Sequence, residues 1–164
     1  MGFVGSYVWK LRQVLGSQRI LIAGVNAMIL NAEDKIWLGK RSNGGEWCYM
    51  GGSLEIGQSL MDAVMAETYE ETGLQTTPDD WTYAGVHSHP QETLYTYPGG
   101  DEVQAVNHLF FMRYEGTLQN GEDEEHSEFG LFDLENLPSP MKSDAVPAIK
   151  LLKAFLKTGK VQVR

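Results

Sequence analysis

Residues 51–74, GGSLEIGQSLMDAVMAETYEETGL, decide the fold of this 164-residue chain, because they combine a glycine pair, an acidic cluster and the signals of one helix. Ser59 is a preferred N-cap residue, and Asp62 stands three residues later, where a capping box has its second member. Gly73 is a preferred C-terminal stop. The pattern predicts a helix of about three to four turns between Ser59 and Gly73.

The predicted helix carries three glutamates on the same stripe as its apolar residues. At helical spacing that stripe consists of Leu60, Ala63, Val64, Glu67, Glu70 and Glu71. Each like-charge pair three or four residues apart costs roughly 0.2–0.5 kcal/mol on an exposed helix, and the C-terminal end of a helix disfavours anions. A bound cation would offset both effects. Carboxylate oxygens select hard ions, so we expect Mg²⁺ or Mn²⁺ rather than zinc, with a solvated acidic helix end as the open alternative.

The glycine pair precedes this helix and follows a predicted strand over residues 46–50. Without side chains, Gly51 and Gly52 let the backbone approach a ligand and direct carbonyls or amides at it. With its spacing to the glutamates, the segment resembles the Nudix box. The family pattern of that box is Gly, five residues, Glu, seven residues, Arg-Glu-(aliphatic)-x-Glu-Glu-x-Gly-(aliphatic).

Most positions of this pattern match in register. The matching residues are Gly52, Glu67, Glu70, Glu71, Gly73 and Leu74. Three positions depart: Gln58 stands where the family has Glu, Ala66 where it has Arg, and Thr68 where it has an aliphatic residue; Met50 also replaces a proline common before the glycine pair. In the family the arginine is thought to orient the box carboxylates. The departures therefore bear on catalytic efficiency more than on metal binding.

The resemblance extends over most of the chain. Segments that resemble family features are residues 20–30, 35–41, 41–47, 97–104 and 127–138. The first two are similar to the opening strands, the third to the loop before the glycine pair, and the fourth to a hairpin of bacterial members. The last is similar to a late segment that ends in a leucine-proline turn.

Periodicity outside the box supplies the other elements. Apolar spacing predicts an N-terminal helix at about residues 5–16, strands over 81–87 and 103–114, and a C-terminal helix that Gly159 ends. Helices before, within and after a set of strands give an α/β/α layered domain. With the resemblance, we expect an α/β fold: a Nudix-like α/β/α sandwich with a mixed sheet and an added N-terminal helix, in a single domain over residues 1–164.

The resemblance implies Mg-dependent hydrolysis of a diphosphate bond in a nucleoside diphosphate linked to another group, X, with release of a monophosphate. A nucleotide sugar such as ADP-ribose and a nucleoside triphosphate both fit this description. The implied metal ligands are the Gly51 carbonyl, Glu67, Glu70 and Glu71, and Glu67 alternatively positions the attacking water. Mn²⁺ is an alternative to Mg²⁺.

Several family members use a glutamate outside the box as general base. By resemblance Glu128 is the first candidate here and Glu125 the second, although an acidic run such as residues 122–125 is often only a solvated loop. Turnover of Glu-to-Gln variants at these two positions would decide between them.

Substrate contacts are predicted at four further positions. Arg41 has the planar fork that suits a distal phosphate, although a surface ion pair with Glu46 is an alternative. Gly52 allows close backbone approach. Trp47 and Tyr97 could stack on a base, or instead belong to the core and to the cover of a hairpin.

Composition narrows the class of protein and its partners. A formal net charge of −9 argues against binding to duplex nucleic acid, whose phosphates reward basic surfaces. No apolar run approaches the roughly 18 residues that a membrane span needs, and we find no signal-peptide run. A single cysteine, Cys48, excludes an internal disulfide and suits a reducing cytoplasm. We expect a cytoplasmic protein whose partner is a small nucleoside diphosphate derivative.

Two other classes remain open. A Nudix-like module could bind a nucleotide or sugar nucleotide as a sensor without cleaving it, and a pure interaction domain would leave the carboxylates without metal. The N-terminal helix could cap the pocket or mediate a homodimer. The sequence does not disclose which nucleotide or which group X is recognised.

Overall fold

The computed structural model describes residues 4–97, 99–121 and 125–164, which form three helices and eight strands. The helices are α1 (Tyr7–Leu15), α2 (Leu60–Thr72) and α3 (Ala145–Thr158). The strands are β1 (Ile20–Leu30), β2 (Lys35–Arg41), β3 (Trp47–Cys48), β4 (Thr82–His87), β5 (Leu94–Thr96), β6 (Glu102–Arg113), β7 (His126–Asp133) and β8 (Gln162–Val163). A short 3₁₀ turn, Pro78–Asp80, precedes β4.

The strands form one mixed sheet in the order β3-β2-β1-β6-β4-β8, with β5 paired to β6 and β7 paired to β2. At its centre β1 and β6 run parallel, in register from Ile20 opposite Val103 to Leu30 opposite Arg113. Both strands are rich in apolar residues because helices cover them on both sides. The expected mixed sheet is confirmed.

Two helices cover opposite faces of this sheet and define its layers. On one face α2 packs Ala63 and Val64 against a core that includes Val25, Ala27 and Phe110. On the other face α3 packs against a second core, formed with Met28, Leu30, Ile36, Leu38, Leu109 and Phe111. The α/β/α arrangement that the sequence predicts is therefore confirmed, and it places α2 against β1.

Local signals define α2 as the sequence predicts. The Ser59 hydroxyl accepts from the Asp62 amide at 3.1 Å while the Asp62 carboxylate accepts from the Ser59 amide at 3.1 Å, which completes a capping box. Gly73 ends the helix in the left-handed conformation, at φ 70°. These caps fix the helical phase, and so the directions in which the glutamates project.

The N-terminal helix is present and packs on the sheet through its own small core. Val8 and Leu11 of α1 contact Ile20, Ile22 and Val103. The strand expected over residues 46–50 is shorter in the structure, where β3 comprises Trp47–Cys48. No helix among the described residues is both long and apolar enough to cross a membrane.

Candidate metal and substrate site

Gly51 and Gly52 form a turn after β3, which we call the glycine turn, and this turn contacts both β1 and α2. Gly51 has φ 138°, and a Cβ there would overlap the Val25 carbonyl oxygen. The Gly52 carbonyl accepts from the Val25 amide at 2.9 Å, and a Cβ at Gly52 would overlap the Glu67 carboxylate. Glycine is required at position 51, where the close approach is to backbone, and at position 52 any side chain would displace the Glu67 carboxylate. The turn therefore brings backbone polar groups directly against the acidic face of α2.

Glu71 is the buried carboxylate of this turn, with only 4% of its surface exposed. Its Oε1 accepts from the Gly51 amide at 3.4 Å, and its Oε2 lies 3.8 Å from His126 Nδ1. Among the described residues Oε2 has no hydrogen-bond partner. Burial raises the pKa of the Glu71 carboxyl well above its ordinary value, and the charges of Glu67 and Glu125 raise it further. A neighbouring cation would reverse this preference for the neutral form.

The donors present fit a hard divalent cation. Glu67 lies against Gly52 and Glu71 against Gly51, so two carboxylates and the backbone of the glycine turn face one region. Oxygen donors of this kind suit Mg²⁺ or Mn²⁺. Glu70, on the same predicted stripe, is exposed. Across the described ranges no three His, Cys, Asp or Glu side chains are gathered tightly enough to hold a metal by themselves. The backbone must therefore contribute donors, or Glu70 must change its rotamer.

His126 is the site neighbour that the sequence did not reveal. This first residue of β7 is 2% exposed and lies between Glu71 and Cys48, with its Nε2 3.6 Å from the Cys48 Sγ. Its ring occupies the space above Gly39, where any Cβ would overlap the imidazole. A glycine within a predicted strand is the one signal that could have indicated such an approach.

Cys48 is buried beside His126 and is chemically quiet. Burial raises the pKa of its thiol to about 11, against the opposing influence of Lys142 and Arg41. The thiol therefore stays protonated at neutral pH, and a protonated thiol is a poor nucleophile. The structure places Cys48 as a small core residue.

Arg41 and Glu125 form an ion pair that acts electrostatically on Glu71. Arg41 Nη1 lies 3.1 Å from Glu125 Oε2, and the pair closes a β-bulge at the end of β2. Both residues act electrostatically on Glu71: the charge of Glu125 raises its pKa and that of Arg41 lowers it, although burial outweighs both. The predicted phosphate ligand and one of the two predicted bases thus lie within electrostatic range of Glu71. Residues 122–124 of the acidic run lie outside the described residues.

Glu128, the other candidate base, lies farther along β7 and is exposed. Its carboxylate binds Lys40 Nζ at 2.9 Å, and it stands opposite Lys40 in the β2–β7 register. Because side chains alternate along a strand, Lys40 shares the face of Ile36 and Leu38, which pack toward α3. Glu128 is therefore on the opposite face of the sheet from the α2 core.

The two predicted stacking residues lie in different surroundings. Trp47 is half-buried and packs edge-on against Phe132, with ring centroids 4.9 Å apart. Tyr97 is half-buried against α1 at the end of the β5–β6 hairpin. Burial raises the pKa of its hydroxyl, while the charges of Arg12 and Arg41 lower it. Tyr97 consequently lies within electrostatic range of Arg41, and Trp47 contributes mainly to the core beneath α3.

A family model described as the NUDIX domain matches residues 21–154. The chain belongs to this family. The matched segment contains the glycine turn, α2 and the Arg41–Glu125 pair and ends within α3, whereas α1 precedes it.

Curated relatives and solved structures agree with the Nudix assignment. A Methanocaldococcus jannaschii protein named ADP-ribose pyrophosphatase is 36% identical over 113 residues, which are 67% of this chain and 61% of that protein. This chain thus spans about three fifths of that relative's length. A Bartonella tribocorum protein named RNA pyrophosphohydrolase is 24% identical over 70% of this chain and 78% of its own length. A MutT NUDIX hydrolase structure from Burkholderia pseudomallei, 24% identical, has a TM-score of 0.65 and covers 80% of this chain and 98% of its own.

The departures from the Nudix box have visible structural roles here. Gln58 Oε1 accepts from the Glu55 amide at 2.9 Å, so the residue that replaces a family glutamate closes the loop before α2. The Thr68 hydroxyl is fully buried and donates to the Val64 carbonyl at 2.7 Å. Thr68 therefore fills an aliphatic position of the Nudix box without an unsatisfied hydroxyl.

Proposed function

We propose that this Nudix protein is a divalent-metal-dependent pyrophosphohydrolase. It would cleave a diphosphate bond in a nucleoside diphosphate linked to a second group and release a monophosphate. The observation that carries this proposal is the buried Glu71 carboxylate at the glycine turn. An anionic oxygen in that position, without a hydrogen-bond partner among the described residues, is costly unless a cation binds it.

Glu67, Glu71 and the Gly51 carbonyl would hold the metal, with Glu70 as a further ligand. Bound there, Mg²⁺ or Mn²⁺ would neutralise phosphate charge and lower the pKa of a water molecule. The net charge of −9 makes this neutralisation necessary, because an anionic substrate would otherwise be repelled.

Arg41 would bind a phosphate through its planar fork, which suits two phosphate oxygens at once. A phosphate there would compete with Glu125 for the guanidinium, since the two groups now pair at 3.1 Å. Release of Glu125 beside Glu71 would leave a carboxylate free to accept a proton from the attacking water. We therefore place Glu125 before Glu128 as general base. Glu128 remains the alternative because its Lys40 partner is itself exposed.

Gly52, Trp47 and Tyr97 would complete the substrate contacts, with Tyr97 as the favoured stacking partner because it lies within electrostatic range of Arg41. The name of the Methanocaldococcus jannaschii relative supports ADP-ribose as the first substrate to examine. Nucleoside triphosphates and other nucleotide sugars share the diphosphate that these residues would recognise.

The test is metal-dependent release of a monophosphate from a panel of ADP-ribose, other nucleotide sugars, nucleoside triphosphates and dinucleoside polyphosphates. We expect turnover with Mg²⁺ or Mn²⁺ of at least one member, and its loss in chelator and in Glu71→Gln. Tight binding without turnover across the panel would favour the sensor alternative and overturn the proposal.

Two matched variants, Glu125→Gln and Glu128→Gln, test which glutamate is the general base. Glu125→Gln should lower kcat by about 10²-fold or more, the lower range of acid-base catalysis. Glu128→Gln should leave kcat nearly unchanged, because it removes only an exposed ion pair with Lys40. The reverse order of effects would restore Glu128 as the base.

A further inference from the structure

The N-terminal helix α1 contacts the Nudix box, although α1 lies outside the family match, which begins at residue 21. We call residues 53–58, between the glycine turn and the N-cap of α2, the box loop. The backbone amide of Tyr7, the first residue of α1, lies 2.8 and 2.9 Å from the two carboxylate oxygens of Glu55. A box-loop side chain thus accepts a hydrogen bond from an element that precedes the matched domain.

The electrostatics of this contact are favourable. The first amides of a helix have no partner within the helix, and the N-terminus carries a partial positive charge. Ser6 accepts from the Trp9 amide at 3.2 Å, and Glu55 accepts from Tyr7, so each end of the first turn is satisfied by a different segment. Within the box loop the Gln58 side chain accepts a hydrogen bond from the Glu55 amide, which restricts the backbone at Glu55.

The other side of α1 is fixed to the sheet. Arg12 is 5% exposed and donates from Nη2 to the Glu102 carbonyl at 2.6 Å and from Nη1 to the Gly16 carbonyl at 3.1 Å. Val8 packs beside Val103 in the adjoining core. Since α1 is anchored to β6 in this way, the Tyr7 amide is a fixed point for Glu55.

A displacement of the box loop would also move the proposed metal site, because the loop is joined directly to the glycine turn at one end and to α2 at the other. Leu54 donates to the Ala23 carbonyl at 3.0 Å, and Gly52, two residues before it, packs against the Glu67 carboxylate. Ser59 follows the box loop, and its capping box sets the start of α2.

We propose that Glu55 is a positioning residue through which α1 holds the box loop, and with it the glycine turn, in the geometry that the metal site needs. This inference rests on the proposed function for the identity of the site as a metal site. The holding of the loop itself is a property of the fold and can be measured separately.

The structure offers a variant that removes this hydrogen bond with little other change. Tyr7 occupies the first helical position, where proline is well tolerated and has no N–H to donate. Ser6 before it has φ −64° and ψ 163°, the extended conformation that a residue preceding proline prefers. Tyr7→Pro therefore deletes the donor, while Tyr7→Ala deletes the same side chain and keeps the donor as a matched control.

We expect Tyr7→Pro, compared with Tyr7→Ala, to accelerate hydrogen exchange of the amides in residues 53–58. We also expect Mn²⁺, titrated alone, to bind about fivefold more weakly, the scale of losing one helix-capping contact. Glu55→Ala should reproduce both effects. Combined with Tyr7→Pro it should add little, because both changes remove the same bond.

Equal exchange rates in Tyr7→Pro and Tyr7→Ala would overturn the inference. If Tyr7→Pro fails to fold, the comparison passes to Glu55→Ala against Glu55→Gln, which retains an acceptor oxygen and should restore slow exchange. If the wild-type protein binds no Mn²⁺, the proposed function fails, whereas exchange in the box loop still decides whether α1 holds it.

Discussion

The two helices that sandwich the sheet have similar lengths and similar ends, yet they bury different chemistry. Both α2 and α3 stop at a left-handed glycine, Gly73 at φ 70° and Gly159 at φ 67°. The buried face of α3 is apolar and includes Ala148, Ile149 and Leu152. The buried face of α2 instead becomes polar halfway along its length. From there its buried residues are Thr68, Glu71 and Thr72.

The N-termini of α2 and α3 also differ, in how they are capped. Ser59 caps α2 through a complete capping box, so the helix with the polar face has the better local start. Asp144 stands at the N-cap position of α3 but makes no side-chain cap; its carboxylate accepts from the hydroxyls of Tyr49 and Tyr95 at 3.1 and 2.7 Å. We infer that α3 is held mainly by its apolar burial, whereas α2 depends more on local caps because the second half of its buried face is polar.

The largest effect that would sharpen this contrast is expected at Glu71. Glu71→Gln should lower metal-dependent turnover by at least about 10²-fold, because it removes the charge of a proposed metal ligand. It should leave the free energy of unfolding of the metal-free protein unchanged or increased, since the cost of burying an ionisable carboxyl is lost. Turnover and urea unfolding measure the two quantities. Glu70→Gln, at the exposed position proposed for a further ligand, should have a smaller effect on turnover than Glu71→Gln.

The opposite outcome is expected in α3. Leu152 is fully buried, and Leu152→Ala should lower the free energy of unfolding by about 2–5 kcal/mol through lost burial and a residual cavity. Turnover per folded molecule should stay near the wild-type value. Lys150→Ala, on the exposed side of α3, should change stability by less than about 0.5 kcal/mol. A loss of turnover in folded Leu152→Ala would mean that the two helices are not separable in this way.

The smallest effect is expected at Thr68. Thr68→Val restores an aliphatic residue of similar shape, and the Val64 carbonyl keeps its helical hydrogen bond when the hydroxyl is lost. The free energy of unfolding should change by less than about 1 kcal/mol, as denaturant titration would show. Turnover should not change. A large loss of either would assign the hydroxyl a role in the site that its bond to Val64 does not suggest.

Sequence reasoning succeeded where the determinants are local. The limits of α2 follow from Ser59, Asp62 and Gly73, which act within one turn of the helix ends, and the structure reproduces them. The layered architecture and the mixed sheet were also predictable from periodicity and resemblance. The parallel pairing of β1 with β6 joins residues about 80 positions apart, and no local pattern fixes such a register.

The sequence identifies the acidic residues of the candidate site but not how they are arranged. Periodicity places Glu67, Glu70 and Glu71 on one stripe, yet the structure buries Glu71 and exposes Glu70. The glycine turn makes that selection, because Gly51 donates its amide to Glu71. His126 lies outside any recognisable motif, since its position depends on space that Gly39 provides from another strand. Contacts of this kind are set by the assembled fold.

The contact between Gly52 and Glu67 also restricts how this protein can change over evolutionary time. Every substitution of Gly52 adds a Cβ where the Glu67 carboxylate already lies. A substitution at position 52 therefore displaces the Glu67 carboxylate from its present position, so we expect selection to keep glycine there for as long as Glu67 has the role proposed for it. Loss of Gly52 in a descendant would then accompany loss of that role.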